Sequence, residues 1–387
     1  MTGNDSTREG SGDNPGDDPG DNPGDDPGDD PGDDLGSAPG HGLAVGLGGG
    51  EDYVIDLGPV AVVLQAAQRD LVEYLSGFYA VRRAGSGHET GSRCGQVQWE
   101  IDVRLGAPDA GMTCTRWGVG VDCDPGARRA RVRGVDPVHL AITVRKMVRE
   151  ALVEFCGSRA ATMLHASAVT DGARVVIVVG DKGAGKTTLG LSAVLDLGWT
   201  LLSNDHLLLY RDHDATLVVT SLPTPIPVKT GTWCDWSHRL PAPWDTEAIT
   251  PERARALPAG QRYRSPGRFL YTYRGLGQPH PLHTRLAERT VDVVLAGYGR
   301  AGALPAEPRQ IEPQGVGLVD ALGEHVRFDW WFGPANTHLL PRAERTPAQF
   351  AADSTQRLHD LAAVATATRW THHGHLGPFL AATASRR

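Results

Sequence analysis

The sequence predicts an α/β fold organised around one strand, loop and helix unit, and three observations predict it. Residues 175–192, VVIVVGDKGAGKTTLGLS, place an apolar strand, a glycine-rich turn and the start of an apolar helix in that order. On either side, short apolar runs of strand length alternate with longer stretches of helical spacing. A chain of 387 residues with 40% hydrophobic content has ample material for the core such elements need.

The central unit carries a specific spacing. Gly180, Asp181, Lys182, Gly183, Ala184, Gly185, Lys186 and Thr187 satisfy G-x-x-x-x-G-K-[ST], with Thr188 next at the helix start. The three glycines let the backbone curl so that its N–H groups face inward, and the following helix start adds unpaired donors and a positive dipole. Such a loop cradles phosphate oxygens. Lys186 is expected to reach the β- and γ-phosphates and Thr187 to ligate Mg²⁺. The chain has four lysines, Lys146, Lys182, Lys186 and Lys229, and two of them fall in this loop. A compact ammonium is what a phosphate cradle uses.

The tail comes first in the chain and distorts its charge balance. From Gly12 a G-D-[DN]-P unit repeats five times and closes with GDDLG, so residues 1–36 hold twelve acids against Arg8. Proline, glycine and mutually repelling aspartates cannot bury enough apolar surface to fold, and an extended, solvated tail with its linker is expected over residues 1–50. The net charge of −8 therefore hides a remainder with 37 bases and 34 acids. That near balance argues against a nucleic-acid partner. Cys94, Cys114, Cys123, Cys156 and Cys234 are odd in number and scattered, which fits neither a disulfide framework nor a zinc site. With no basic-then-apolar leader and no apolar run near the ~18 residues of a span, a soluble cytoplasmic protein without a membrane partner is expected.

A small α+β domain is expected over residues 51–159. Val60–Tyr79 has apolar residues at near-helical spacing, Val97–Leu105 and Trp117–Asp122 alternate as strands, and Ala130–Arg133 supplies a partner. Asp136-Pro137 opens a helix running to about Phe155. A second domain, residues 160–387, begins with a strand over Thr162–Val169, a turn at Asp171-Gly172 and then the glycine-loop strand. Leu197-Gly198 stops the loop helix. Trp199–Leu202 is a strand that delivers Asn204-Asp205-His206 to its end, and Leu207–Tyr210 follows as another. A carboxylate at a strand end beside a phosphate loop is where a magnesium-orienting group belongs, which singles out Asp205. Residues 221–285, rich in proline, arginine and aromatics, read as functional loop, with Arg262, Arg264, Arg268 and Arg274 available to developing charge. Val291–Leu295 reads as a buried strand, Phe328–Phe332 carries Trp330 and Trp331, and Pro347–Thr368 reads as a terminal helix. His372, His373 and His375 read as solvated residues of a mobile tail, with no fixed fourth ligand to make them a metal site.

Four landmarks in order, LHASAV (Leu164–Val169), the glycine loop, LLSNDHLLL (Leu201–Leu209) and RGLG (Arg274–Gly277), resemble the C-terminal domain of HPr kinase/phosphorylase. The resemblance implies an HPr kinase-like P-loop kinase fold and an ATP- and Mg²⁺-dependent transfer of the γ-phosphoryl group to a hydroxyl. Serine of a peptide or protein, or a small metabolite, would be the acceptor. It also implies that His165 lies beside the transferred phosphate, where it would orient or share the acceptor proton or contact the γ-phosphate. The chain departs from the family at two places. Asn204 replaces the first aspartate of a pair, and an amide takes no proton, so Asp205 or His165 is left as base with Lys186 and Thr187 on the phosphates and metal. Thr272 replaces a glutamate, which puts HPr phosphorylation and its reversal in doubt. The alternative is a nucleotide-binding regulatory or scaffold module with little turnover. A homo-oligomer is compatible with either, and no N-K-x-D guanine motif supports a GTPase switch.

Overall fold

A computed structural model describes residues 50–85, 96–279, 283–299, 309–311, 316–332 and 338–384. The acidic repeat tail lies outside the described residues, as does Cys94.

The N-terminal block runs β1 (Glu51–Asp56), β2 (Val60–Ala67), α1 (Arg69–Ser76), β3 (Ala80–Arg83), β4 (Gln96–Leu105), β5 (Thr113–Cys114), β6 (Gly120–Asp124), β7 (Arg129–Gly134) and α2 (Pro137–Gly157). Its strands form one mixed sheet in the order β3-β1-β2-β4-β7-β6-β5, with β2, β4 and β7 parallel. The helix expected over Val60–Tyr79 is two elements: Val60–Ala67 is a strand, and helix begins only at Arg69. Val60, Val62 and Val63 are β-branched and fit a pleated surface, and β2 is apolar at every successive position from Val60 to Leu64, so its period is hidden. The strand expected from Trp117 starts at Gly120, because Thr115–Gly118 forms a turn closed by Gly118 N–H donating to the Thr115 carbonyl. Helix α2 starts as expected, with the Asp136 carboxylate accepting from the N–H groups of Val138 and His139 and Pro137 at the first helical position.

The chain continues as β8 (Thr162–Thr170), β9 (Arg174–Val179), α3 (Lys186–Leu197), β10 (Thr200–Ser203), β11 (His206–Arg211) and β12 (Leu217–Ser221). Then come β13 (Ile226–Lys229), α4 (Thr230–Trp236), β14 (Asp245–Glu247), α5 (Pro251–Ala256), α6 (Ala259–Arg262) and β15 (Arg268–Tyr271). The last elements are β16 (His283–Arg285), β17 (Thr290–Tyr298), β18 (Arg309–Ile311), α7 (Val316–Gly323), α8 (Phe328–Phe332), α9 (Pro347–Val364), β19 (Ala365–His372) and α10 (Gly377–Ala384). A second mixed sheet has the order β16-β12-β11-β8-β9-β17-β19-β18, with β10 also paired to β8. Within it β9, β17 and β19 are parallel; Val179 at the end of β9 pairs with Leu295, and β17 and β19 run on three residues further to end side by side at Tyr298 and His372. That crevice beyond the carboxyl ends of parallel strands is where α/β sheets bind ligands.

Two expectations for this half are corrected. Residues 221–285 are not all loop: β13, β15 and β14 form a third sheet, and with α4 they pack Ile226, Val228, Trp233, Phe269 and Tyr271 against Leu189 and Leu191 of α3. Strands of three or four residues interrupted by Pro227 are too short to display a period. The helix expected to reach Thr368 ends at Val364, and Ala365–His372 is a strand paired with β17 from Val291↔Ala365 to Tyr298↔His372. Alanine favours helix, but Thr366, Thr368 and Thr371 favour strand, and the sheet position decides.

One core crosses the expected boundary at 159/160. Leu140, Val144, Val148 and Leu152 of α2 pack with Trp99 and Ile101 of the first sheet and with Met163, Leu208 and Tyr210 of the second. Arg145, Arg149 and Glu150 of the same helix are buried with them. Trp331 of α8 joins this core. Among the described residues no helix is long and apolar enough to cross a membrane.

Candidate functional site

The glycine loop joins β9 to α3, and its conformation is one that only glycine supplies at two positions. Gly185 sits at φ +80°, and a Cβ there would lie 2.5 Å from Cε1 of His372 and 2.7 Å from Cδ2 of Tyr298. Gly180 takes φ +154°, with a would-be Cβ 2.5 Å from the Ala296 carbonyl oxygen. The turn is closed by Ala184 N–H donating to the Asp181 carbonyl, and α3 begins with Leu189 N–H donating to that of Gly185. Lys186 is buried, and its Nζ donates to the carbonyls of Gly180 at 2.6 Å and Asp181 at 3.2 Å. Burial draws its pKa down, while Asp205 and Asp181 oppose the shift. Asp181, Lys182 and Gly183 are exposed at the loop's tip, and Ala184 is buried beneath. Thr187 is half-buried, and among the described residues its hydroxyl bonds no protein group. Thr188 is buried, its Oγ1 3.1 Å from that of Thr232 in α4.

Asp205 reaches the site through a change of partner along β8. One end of β8 pairs with β10 and the other with β11, so Asn204-Asp205 forms the bend between them, opposite Ser167 and Ala166. Asp205 Oδ1 lies 2.8 Å from His165 Nε2 and Oδ2 3.3 Å from His206 Nδ1. His165 and His206 face each other across the strand pair. Burial pushes the Asp205 carboxyl up, but His206, His165 and Arg327 outweigh it and hold the group well below the usual carboxylate range. Asp205 is therefore ionised at neutral pH. His165 is half-buried in a strand whose other residues are all buried, which sets it apart from an ordinary core histidine. Asn204 is buried, and its N–H bonds the Tyr273 hydroxyl.

The structure adds His325 and Arg327, which sequence reasoning passed over. Beyond the end of β9 the line beside β8 is continued by Val326, bridged to Leu164. His165 N–H donates to the His325 carbonyl at 2.8 Å, and Arg327 N–H to that of Met163 at 2.9 Å. The His325 ring lies in the field of Lys186, Asp181 and His165, and burial draws its pKa down. Arg327 Nη1 is 3.4 Å from His206 Nε2 and pairs with Asp329 at 3.1 Å. The triplet His-Val-Arg, with polar residues two apart around a half-buried apolar one, was the available signal. Of the arginines expected near the phosphates, Arg274 instead bonds Ser76 Oγ at 2.6 Å, and Arg262 the Leu257 carbonyl at 3.0 Å. Arg268 stands opposite Lys229 on adjacent strands, and burial, with the charge of Lys182 of the loop, draws the Lys229 pKa down. The RGLG segment packs against β10, with the Gln278 side chain accepting from Leu201 N–H at 2.8 Å.

His372, expected in a solvated tail, is buried at the end of β19. Its Nε2 donates to the Ala184 carbonyl at 2.8 Å and its Nδ1 accepts from Gly374 N–H at 3.0 Å, which fixes a neutral ring under the loop. Burial pulls its pKa from 6.5 down to about 4, partly opposed by the Ala184 bond and helped by His373. A folded-state pKa below the unfolded one means the unfolded chain takes up protons first as pH falls. The stabilisation is thus complete above pH 6.5 and is lost on the way to pH 4, about 3 kcal/mol in all. His283 and His325, also depressed by burial, act in the same direction. His372→Gln, which can keep the bond to Ala184 without titrating, is expected to flatten the pH dependence of urea unfolding by that amount. Parallel wild-type and variant profiles would refute the assignment.

The fold and site together define a mixed α/β protein with a lysine-capped glycine loop beside a His-Asp pair. No protein-family model and no curated protein matches the chain.

Proposed function

We propose that the protein is a P-loop kinase of the HPr kinase-like type, transferring the γ-phosphoryl group of ATP to a hydroxyl of a peptide, protein or small molecule. The observation that carries this is the position of the ionised Asp205, paired with His165, at the flank of the loop whose helix start holds Lys186 and Thr187. Loop N–H groups and Lys186 neutralise the phosphate chain. The half-buried Thr187 hydroxyl and the Asp205 carboxylate are hard oxygen donors of the kind Mg²⁺ takes, and the metal would supply charge neutralisation on the phosphates. With its Nε2–H held by Asp205, His165 has Nδ1 left to accept the proton of the attacking hydroxyl, and the carboxylate stabilises the imidazolium that forms. Arg327 adds positive charge at the same flank.

Asn204 supports a second reading. Because the residue preceding Asp205 is a buried amide rather than a second carboxylate, a nucleotide-binding regulatory or scaffold module with little turnover fits the same loop. ADP release measured with and without free serine and serine-bearing peptides separates the two. Acceptor-dependent ADP formation that Lys186→Met abolishes is expected of the kinase. Mg·ATP binding with no acceptor-stimulated release across the panel would put the regulatory module ahead.

A further inference from the structure

We infer that Tyr263 and Tyr298 form the platform on which the base of the bound nucleotide stacks; the inference rests on the proposal that the glycine loop holds the phosphates. The two flanks of the loop differ in kind. On the β8 side lie His165, Asp205 and Arg327, charged or titratable and suited to the terminal phosphate. On the side of β17 and β19 the groups are aromatic. The Tyr298 ring packs against the backbone of Gly185 at the start of α3 and stands perpendicular to His372, with centroids 5.3 Å apart at 89°. A triphosphate whose γ end faces Asp205 leaves the loop toward this second flank.

Tyr263 extends the wall outward. One side of its ring lies on Gly231, where a Cβ would come within 2.4 Å of Cδ1, so the contact needs a glycine. Its hydroxyl bonds the Asp235 carboxylate and reaches the Tyr298 side chain. The ring is thus anchored from below and at its tip, yet the residue is 55% exposed. A large aromatic held in one orientation with most of its surface uncovered has the properties of a stacking surface, and every base presents a π-face to it. The carboxyl end of β17 carries Tyr298, and α4 carries Gly231 and Asp235, so Tyr263 joins the strand end beside the loop to α4.

The test compares Mg·ATP with inorganic tripolyphosphate in wild type, Tyr263→Ala and Tyr263→Phe. Tyr263→Ala is expected to weaken ATP by roughly tenfold or more, the scale of one base–aromatic stack, and to leave tripolyphosphate within twofold. Tyr263→Phe keeps the ring and should stay close to wild type for both. Because Tyr263 is exposed, the alanine variant's melting temperature should stay near that of wild type, which is checked alongside. If Tyr263→Ala leaves ATP affinity unchanged, or lowers both ligands equally, the platform is wrong while the loop assignment stands. Wild type that binds neither ligand overturns the loop assignment and the platform together.

Discussion

Lys186→Met is expected to abolish measurable Mg·ATP binding while leaving the protein folded. The ammonium is buried at the mouth of the loop and already donates to the Gly180 and Asp181 carbonyls, so it is held within reach of any phosphate the loop takes. Methionine keeps the apolar stem and removes the charge. Charge-assisted hydrogen bonds contribute about 1.5–3 kcal/mol each, so losing two of them costs roughly a hundredfold or more in affinity. The thermal shift produced by Mg·ATP in wild type should vanish in the variant. Shifts of equal size in both proteins would remove Lys186 from the site.

Asp205→Asn is expected to separate binding from chemistry. ATP affinity should stay within a few-fold, because the loop and Lys186 are intact, but acceptor-dependent transfer should fall by ~10²-fold or more. Asparagine lacks the charge that stabilises a protonated His165, and its amide can turn an N–H toward the ring and set the wrong tautomer. Asn204→Asp should keep or raise turnover, since it adds a second carboxylate at the bend between β10 and β11. In a binding module neither change would alter the background rate of phosphate release. An unchanged rate in Asp205→Asn under saturating ATP and acceptor would take this residue out of the mechanism.

What could be read from the sequence follows from how far apart the cooperating residues lie. The glycine loop was legible because its residues are contiguous, and the conformation at Gly185 follows from local geometry. Asp205 was legible for the same reason, as a carboxylate closing a short apolar strand a few residues past α3. The clamp from His372 was not, because it depends on β19 lying parallel to β17, and Ala365 and Ala367, continuing the alanines of α9, mask the strand preference of Thr366, Thr368 and Thr371. His325 and Arg327 escaped notice because a single bridge to Leu164, more than 150 residues earlier in the chain, brings them to the site. Where successive residues of an element are all apolar, as from Val60 to Leu64 in β2, the hydrophobic period vanishes and helix and strand look alike. The short strands β13 and β15, whose Tyr271 bonds Trp233 of α4, read as loop because packing on α3, rather than propensity, orders them.

The central claim is that the glycine loop seats the phosphates of a magnesium nucleotide, and ³¹P resonance of Mg·ATP titrated with the wild-type protein tests it directly. The account predicts that the β- and γ-phosphorus signals shift or broaden saturably, with a stoichiometry of one nucleotide per chain, and that they return to their free positions when Lys186→Met replaces wild type. Signals unperturbed by a molar excess of folded wild-type protein would contradict it.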